Sequence, residues 1–100
     1  MKLVTYCELD NSIFDSKHSV EYYENSTGGA DIAILDINSI FDFEENKVDN
    51  CKEKFVSLAV IDDEDDYSAF KNFGIDAWIK QEDISKINEL LDILEKRFLS

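Results

Sequence analysis

Two continuous apolar runs constrain the fold of this chain more than any other feature. Residues 30–37 read Ala-Asp-Ile-Ala-Ile-Leu-Asp-Ile, and residues 55–61 read Phe-Val-Ser-Leu-Ala-Val-Ile. A strand with one solvated face alternates apolar and polar residues, whereas a continuous run indicates burial on both faces. Both runs therefore predict central strands of a parallel sheet that helices cover on either side.

The flanking segments predict shorter elements around these two strands. Three further strands are expected, over Lys2–Cys7, Ser19–Glu24 and Asp76–Lys80. Between them, Asn11–Lys17 fits either a short helix or a loop, Ser26–Gly29 is a turn, and Asn38–Lys54 is a loop with one short helix.

Two helices are expected in the second half of the chain. The first covers Asp65–Phe73, with Ala69, Phe70 and Phe73 directed inward, and ends at Gly74. The second is capped by Asp83 and runs from Ile84 to Phe98. Its predicted inward stripe consists of Ile84, Ile87, Leu90, Leu91, Leu94 and Phe98. Alternation of strand and helix in this half implies parallel strands with right-handed crossovers.

Length and charge exclude several classes of function. The chain has 100 residues, which is room for one domain, and carries 10 Lys and Arg against 23 Asp and Glu, for a net charge of −13. That charge disfavours direct nucleic-acid binding and docking on an anionic membrane. The acidic start of the chain and its lack of a long apolar run favour a cytoplasmic location. Cys7 and Cys51 fit no metal or redox spacing and are expected as free thiols, Cys7 buried.

Acidic residues follow two of the predicted strands. Glu8 comes after the first strand and Asp36 lies near the end of the Ala30–Ile37 strand, with Asp10 and Asp15 nearby in sequence. Ligands of open α/β sheets bind outside the carboxyl ends of the strands. Converging carboxylates there suit Mg²⁺, and a carboxylate beside Mg²⁺ can accept a phosphoryl group. Solvated loop acids, with no ligand, are the alternative.

The order of these elements resembles the receiver domains of bacterial response regulators. Ala30–Ile37 is similar to the family's central strand, Ala69–Ile79 to its fourth helix, Gly-Ala turn and fifth strand, and Asp83–Phe98 to its fifth helix. The resemblance implies a three-layer α/β/α sandwich around a mostly parallel five-stranded sheet of the flavodoxin-like order. Since Glu8 and Asp36 are only 28 positions apart, the second helix is expected to be shortened or missing.

The resemblance also implies roles for individual residues. Asp36 matches the phospho-acceptor, Glu8 matches an acid that holds Mg²⁺, and Asn38 matches the position whose backbone carbonyl completes the metal site. Cys7 stands where a second acid is usual. Trp78 matches the switch aromatic of the fifth strand.

Three positions depart from the receiver pattern. Ala59 stands at the position of the phosphoryl-binding hydroxyl residue, with Ser57 two residues away. Gln81 stands at the position of the family's lysine, next to Lys80, and Glu82 replaces the proline that usually follows. A phosphoryl group on Asp36 would therefore add negative charge with no assured lysine or hydroxyl to receive it.

These departures favour a degenerate receiver that binds a protein without phosphorylation and is not an enzyme. Its expected partner face comprises the fourth helix, fifth strand and fifth helix, including Ala59, Trp78, Lys80 and Gln81. An output domain, a histidine kinase or a second copy would bind there, so the chain is a monomer or a homodimer. Two alternatives stay open: an active phospho-acceptor that uses Asp36 with Mg²⁺, and an acidic inhibitor or decoy of a basic protein. His18, alone in a polar stretch, is expected at the surface.

Overall fold

A computed structural model describes residues 1–99 and contains one five-stranded sheet flanked by three α-helices. The strands are β1 (Lys2–Thr5), β2 (Ser19–Tyr22), β3 (Ala30–Leu35), β4 (Cys51–Ile61) and β5 (Ala77–Lys80). The α-helices are α1 (Ile40–Asn50), α2 (Asp66–Asn72) and α3 (Ile87–Leu94). Short 3₁₀ segments lie at Asn11–Ile13, Tyr23–Asn25, Ile37–Ser39 and Gln81–Lys86, and a π-helical turn lies at Glu95–Leu99.

The strands follow the order β2-β1-β3-β4-β5, and every neighbouring pair is parallel. This is the flavodoxin-like order that the receiver resemblance implied. The α/β class and the five-stranded sheet are therefore confirmed. The described sheet is parallel throughout, whereas it was expected to be only mostly so.

Strand β3 occupies the middle of the sheet and is buried on both faces, as its continuous apolar run predicts. Ile32 and Ile34 face a core that α3 covers, whereas Ala33 and Leu35 face a core that α1 and α2 cover. All four side chains are fully buried. Complete burial of an isoleucine or leucine side chain stabilises the fold by about 1.5–3 kcal/mol, so these two cores supply much of the stability.

The helix that the receiver resemblance places between β2 and β3 is missing from the described chain, as expected. Between β2 and β3 lies only the 3₁₀ segment Tyr23–Asn25, followed by a turn in which Gly28 and Gly29 have φ of +86° and +73°. Positive φ strains residues with a Cβ atom, so these two glycines permit the tight return to β3.

The connection between β1 and β2 likewise contains no α-helix and is held by α3 instead. The Asn88 side chain donates to the carbonyl of Ile13 at 2.8 Å and accepts from the N–H of Asp15 at 2.9 Å. Phe14, which is 8% exposed, fills the adjacent part of the core. For Asn11–Lys17 the sequence allowed a short helix or a loop. The structure has a loop with a short 3₁₀ segment, and this loop packs on the sheet.

The prediction that Asn38–Lys54 is a loop with one short helix is wrong in two respects. It contains the 11-residue helix α1, and β4 begins at Cys51 rather than at Phe55. Helix α1 is stabilised because Ile40 and Phe43, three residues apart, lie on one face and enter the second core. After the buried Cys51, the next three residues of β4 are charged and exposed, so they lack the apolar signature of the rest of the strand.

The long final helix is also shorter than predicted. Only Ile87–Leu94 is α-helical, and Asp83 lies inside a 3₁₀ segment rather than at a cap. Phe98 is 40% exposed, which contradicts its place in the inward stripe. It lies on the π-helical turn, where the i→i+5 geometry rotates residues away from the stripe of the preceding α-helix.

His18 is buried, contrary to the expectation that it lies at the surface. It is 8% exposed, its Nδ1 lies 3.4 Å from the N-terminal amine, and its Nε2 has no hydrogen-bond partner within residues 1–99. Burial, with help from the N-terminal amine and Lys17, lowers the pKa of His18. The polar neighbours that suggested exposure face solvent themselves, whereas the imidazole is directed inward.

Candidate functional site

The carboxyl ends of β1 and β3 lie side by side and bring Cys7 next to Asp36. Thr5 is in register with Ile34, and the Tyr6 N–H donates to the carbonyl of Ile34 at 2.8 Å. Cys7 is buried as predicted, and its thiol is free. Burial, and then the Asp36 carboxylate, raise the pKa of Cys7 to about 12, so the thiol is protonated at neutral pH.

Asp36 caps the 3₁₀ segment Ile37–Ser39 that leads into α1. Its Oδ1 accepts from the N–H of Asn38 at 3.1 Å and from the Ser39 hydroxyl at 2.9 Å. The Ser39 hydroxyl accepts in turn from the Asp36 N–H at 2.9 Å, which completes a capping box. No hydrogen bond to Oδ2 occurs in the described part of the chain, so one carboxylate oxygen is open. Sequence reasoning missed this cap, because the usual signature has Glu or Gln at the position that Ser39 occupies.

Glu8 is exposed after β1 and lines a cleft of about 350 Å³. The cleft is formed by Thr5, Cys7, Glu8, Leu9, Asn11 and Tyr22. Burial and the nearby Glu24 and Glu8 carboxylates raise the pKa of Tyr22. Asp36 and the exposed Asn38 lie outside this lining, so Glu8 shares the sheet edge with Asp36 without sharing the cleft.

The predicted metal ligands Glu8, Asp36 and Asn38 remain a prediction. Two carboxylates and a backbone carbonyl are oxygen ligands of the kind that Mg²⁺ takes, with waters completing its shell. Within residues 1–99, no group of three or more His, Cys, Asp or Glu side chains is arranged to hold a metal ion. A cation at this edge would therefore keep most of its coordination to water.

At the next strand, Ala59 is fully buried between Leu35 and Trp78, with which it is in register. Its methyl group cannot donate a hydrogen bond. The Ser57 hydroxyl, two residues earlier, is engaged elsewhere: it donates to Asp76 Oδ2 at 3.1 Å and accepts from the Asp76 N–H at 3.0 Å. Neither residue offers a free hydroxyl at the carboxyl end of β4.

Lys80 lies at the end of β5, and its amine is held by acids. Its Nζ is 2.9 Å from Glu64 Oε1 and 3.8 Å from Glu82 Oε1. The hydrogen bond to Glu64 raises the pKa of Lys80. Gln81 is exposed and begins the following 3₁₀ segment. The lysine that a one-residue shift would supply is therefore paired with the acidic loop after β4.

Trp78 is 40% exposed and lies on the face of the sheet that α2 covers. Its ring centroid is 5.6 Å from that of Tyr67 of α2, at an angle of 52°. We call Tyr67, Trp78 and Lys80 the β5 surface. This surface presents an aromatic pair next to a cation that is partly neutralised by Glu64.

No family model matches this chain, and no curated protein or solved structure matches it significantly. The receiver resemblance therefore rests on the strand order and the residues at the strand ends. None of the helices in residues 1–99 has the length and apolar character that crossing a bilayer requires.

Proposed function

We propose that this chain is a receiver-like signalling domain that binds a protein partner without phosphorylation of Asp36. The observation that carries the proposal is that β4 and β5 offer no free hydroxyl or amine at the carboxyl edge of the sheet. Ala59 stands where a hydroxyl would be needed, and the Lys80 amine is paired with Glu64 at 2.9 Å.

The electrostatics of the edge support this proposal. A phosphoryl group carries about −1.5 to −2 charges at neutral pH and needs donors to offset them. Asp36 lies on the same edge as Glu8, and Lys80 would have to leave Glu64 to reach a phosphoryl group. A modification shifts a conformational equilibrium only through contacts that differ between the two states. Ala59 lies beside Trp78, and its methyl group supplies no hydroxyl that could link Asp36 to that aromatic ring.

The proposed partner site is the β5 surface. Half-exposed aromatic side chains on an edge strand are frequent anchors of protein interfaces. Trp78 packs on Tyr67 and so presents a ring that is already fixed before binding. The proposed partner is an output domain, a kinase or a second copy of the chain.

An active phospho-acceptor is the second candidate, and one observation favours it. Asp36 Oδ2 makes no hydrogen bond within the described residues, so it has the freedom an attacking oxygen requires. Glu8 and Mg²⁺ would assist on the same edge.

Intact-mass measurement with acetyl phosphate and Mg²⁺ tests the proposal, with Trp78 fluorescence as the second readout. The proposal expects no change of Trp78 emission in the wild-type chain or in Asp36→Asn, whether or not a phosphoryl mass is gained. The double variant Ala59→Ser/Gln81→Lys restores the missing donors and is expected to gain an emission change that requires Asp36. A wild-type phosphoryl adduct that shifts Trp78 emission, absent in Asp36→Asn, would contradict the proposal.

A further inference from the structure

Exposed apolar side chains lie on the outward face of α1, on the 3₁₀ segment before it and at the end of α2. Phe41 is 74% exposed, Val48 83%, Ile37 44% and Phe73 39%. Phe73, which sequence reasoning directed inward, instead meets the Phe41 ring edge-on with centroids 6.4 Å apart. We call these four residues the α1 patch. Single exposed apolar residues are common, whereas a cluster usually marks an interaction site.

The fold does not require these exposed side chains. Helix α1 already buries its opposite side, where Ile40 and Phe43 enter the second core and Asn50 accepts from the buried Tyr6 hydroxyl at 2.6 Å. Phe41 and Val48 are seven residues apart and lie together on the other side. Their apolar character therefore calls for an explanation outside the folded chain.

Unpaired negative charge surrounds the patch. Glu45 lies on the outward face between Phe41 and Val48, and Asp49 flanks it; both are exposed and form no ion pair with the rest of residues 1–99. The single lysine of α1, Lys47, is paired with Glu44 at 3.1 Å and does not neutralise them.

A recess adjoins the patch at the C-terminal end of α1. It encloses about 380 Å³, and Val48 belongs to both the patch and the recess. The recess is lined by Lys47, Val48, Cys51, Lys52, Glu53 and Phe55. The Lys52 amine is paired with Asp31 at 2.7 Å, and Lys47 with Glu44, so both cations are neutralised locally. An apolar side chain of a partner can occupy the space beside Val48 and Phe55.

We propose that the α1 patch docks a basic protein segment whose apolar side chains cover Phe41 and Val48 while its Lys or Arg side chains pair with Glu45 and Asp49. The charge selects this occupant. A second copy docked through the same patch would place Glu45 and Asp49 against like charges, and the net charge of −13 would repel nucleic acids and anionic membranes. This surface differs from the β5 surface, and the inference holds whatever the state of Asp36.

An amide NMR titration of the full chain with a synthetic amphipathic peptide tests the inference. The probe is a helical peptide of about 18 residues made of leucine and lysine, and a leucine–glutamate peptide of the same pattern is its control. We expect shifts centred on residues 37–49 and Phe73 with the lysine peptide. Affinity for the glutamate peptide should be lower by about tenfold or more, and added salt should weaken binding of the lysine peptide.

Matched variants distinguish binding at the α1 patch from nonspecific binding of the peptide. Phe41→Ser/Val48→Ser should lower the affinity for the lysine peptide by about tenfold or more, because it removes the apolar anchors. Ile93→Ser changes a 49% exposed residue of α3 and should leave the affinity unchanged. The dispersion of each free spectrum verifies that the variant is folded.

Three results would overturn the inference. These are an absence of shifts on α1, equal affinity for both peptides, and a concentration-dependent dimer in sedimentation that the Phe41→Ser/Val48→Ser variant abolishes. The last result would assign the patch to self-association. None of them bears on Trp78 emission, so failure here is distinguishable from failure of the proposed function.

Discussion

The carboxyl edge of the sheet and the α1 patch differ in how their side chains are engaged. At the edge, Asp36 caps the segment before α1, and Lys80 is paired with Glu64. On the patch, Phe41 and Val48 are 74% and 83% exposed, and the ring of Phe41 packs edge-on against Phe73. At the edge, side chains that suit a binding site are held by internal partners, whereas the apolar side chains of the patch are largely exposed. What a surface can bind depends on which groups the fold leaves unsatisfied.

The largest expected effect is the difference in the free energy of unfolding between substitutions on the two sides of α1. Phe43→Ala removes a side chain that is 2% exposed and should lower the free energy of unfolding by about 3–5 kcal/mol. Phe41→Ala should change it by less than about 0.5 kcal/mol, since that ring is 74% exposed. Urea denaturation measures both. If Phe41→Ala were as costly as Phe43→Ala, the patch would be structural and unavailable to a partner.

Reactivity of Cys7 tests how closed the edge is. With a pKa near 12, the folded thiol should react with iodoacetamide at pH 8 about 10³-fold more slowly than a free cysteine of pKa about 8.5. Between those two values the unfolded chain loses the thiol proton and the folded chain keeps it. The free energy of unfolding should therefore fall as pH rises from about 9 towards 12.

Cys51→Ser isolates the signal of Cys7, because Cys51 is the other free thiol of the chain. Asp36→Asn should accelerate the alkylation, since the Asp36 carboxylate helps to raise the pKa of Cys7. Rapid labelling of the Cys51→Ser protein at pH 8 would show that the edge is open.

The capping role of Asp36 predicts a smaller effect. Asp36→Ala removes the acceptor for Asn38 and Ser39 and should lower the free energy of unfolding by about 1 kcal/mol. Asp36→Asn keeps an acceptor oxygen and should cost no more than a few tenths of that. Thermal and urea unfolding compare the two. Stabilisation by Asp36→Ala would instead indicate a carboxylate that the fold holds under strain for a ligand.

The Lys80 ion pair predicts the smallest effect. Glu64 is 73% exposed, and such pairs are weakened by solvent and salt, so Lys80→Gln should leave the urea midpoint unchanged. Its consequence should be confined to binding at the β5 surface. A clear loss of stability in Lys80→Gln that salt does not reduce would show that the β5 end of the edge is structural.

The central strands could be predicted because their signal is local. The continuous apolar runs identified β3 and β4, and the resemblance supplied the strand order. Helix α1 was expected only as one short helix within a loop, because Phe41 and Phe43 lie on opposite sides of it and obscure the helical periodicity. Phe41, the exposed one of these two residues, belongs to the α1 patch, for which we propose a binding role.

The residues of the candidate site could be predicted, but their hydrogen bonds and ion pairs could not. The positions of Asp36 directly after β3 and of Ala59 near the end of β4 followed from the sequence and the receiver resemblance. The pairing of Lys80 with Glu64 and of Ser57 with Asp76 joins residues of different elements. Nothing local specifies such contacts. The sequence indicated that Ala59 and Gln81 lack the expected donors, but only the fold showed that Lys80 and Ser57 are engaged by acids.

Amide NMR with Mg²⁺ and then beryllofluoride, a stand-in for the phosphoryl group, tests directly whether a phosphoryl group on Asp36 affects the β5 surface. We predict that any Mg²⁺ shifts stay near Glu8, Asp36 and Asn38, and that beryllofluoride produces no shift at Trp78 or Lys80. A beryllofluoride response that spreads from Asp36 to Trp78, and that Asp36→Asn abolishes, would contradict this prediction and make the chain a working phospho-switch.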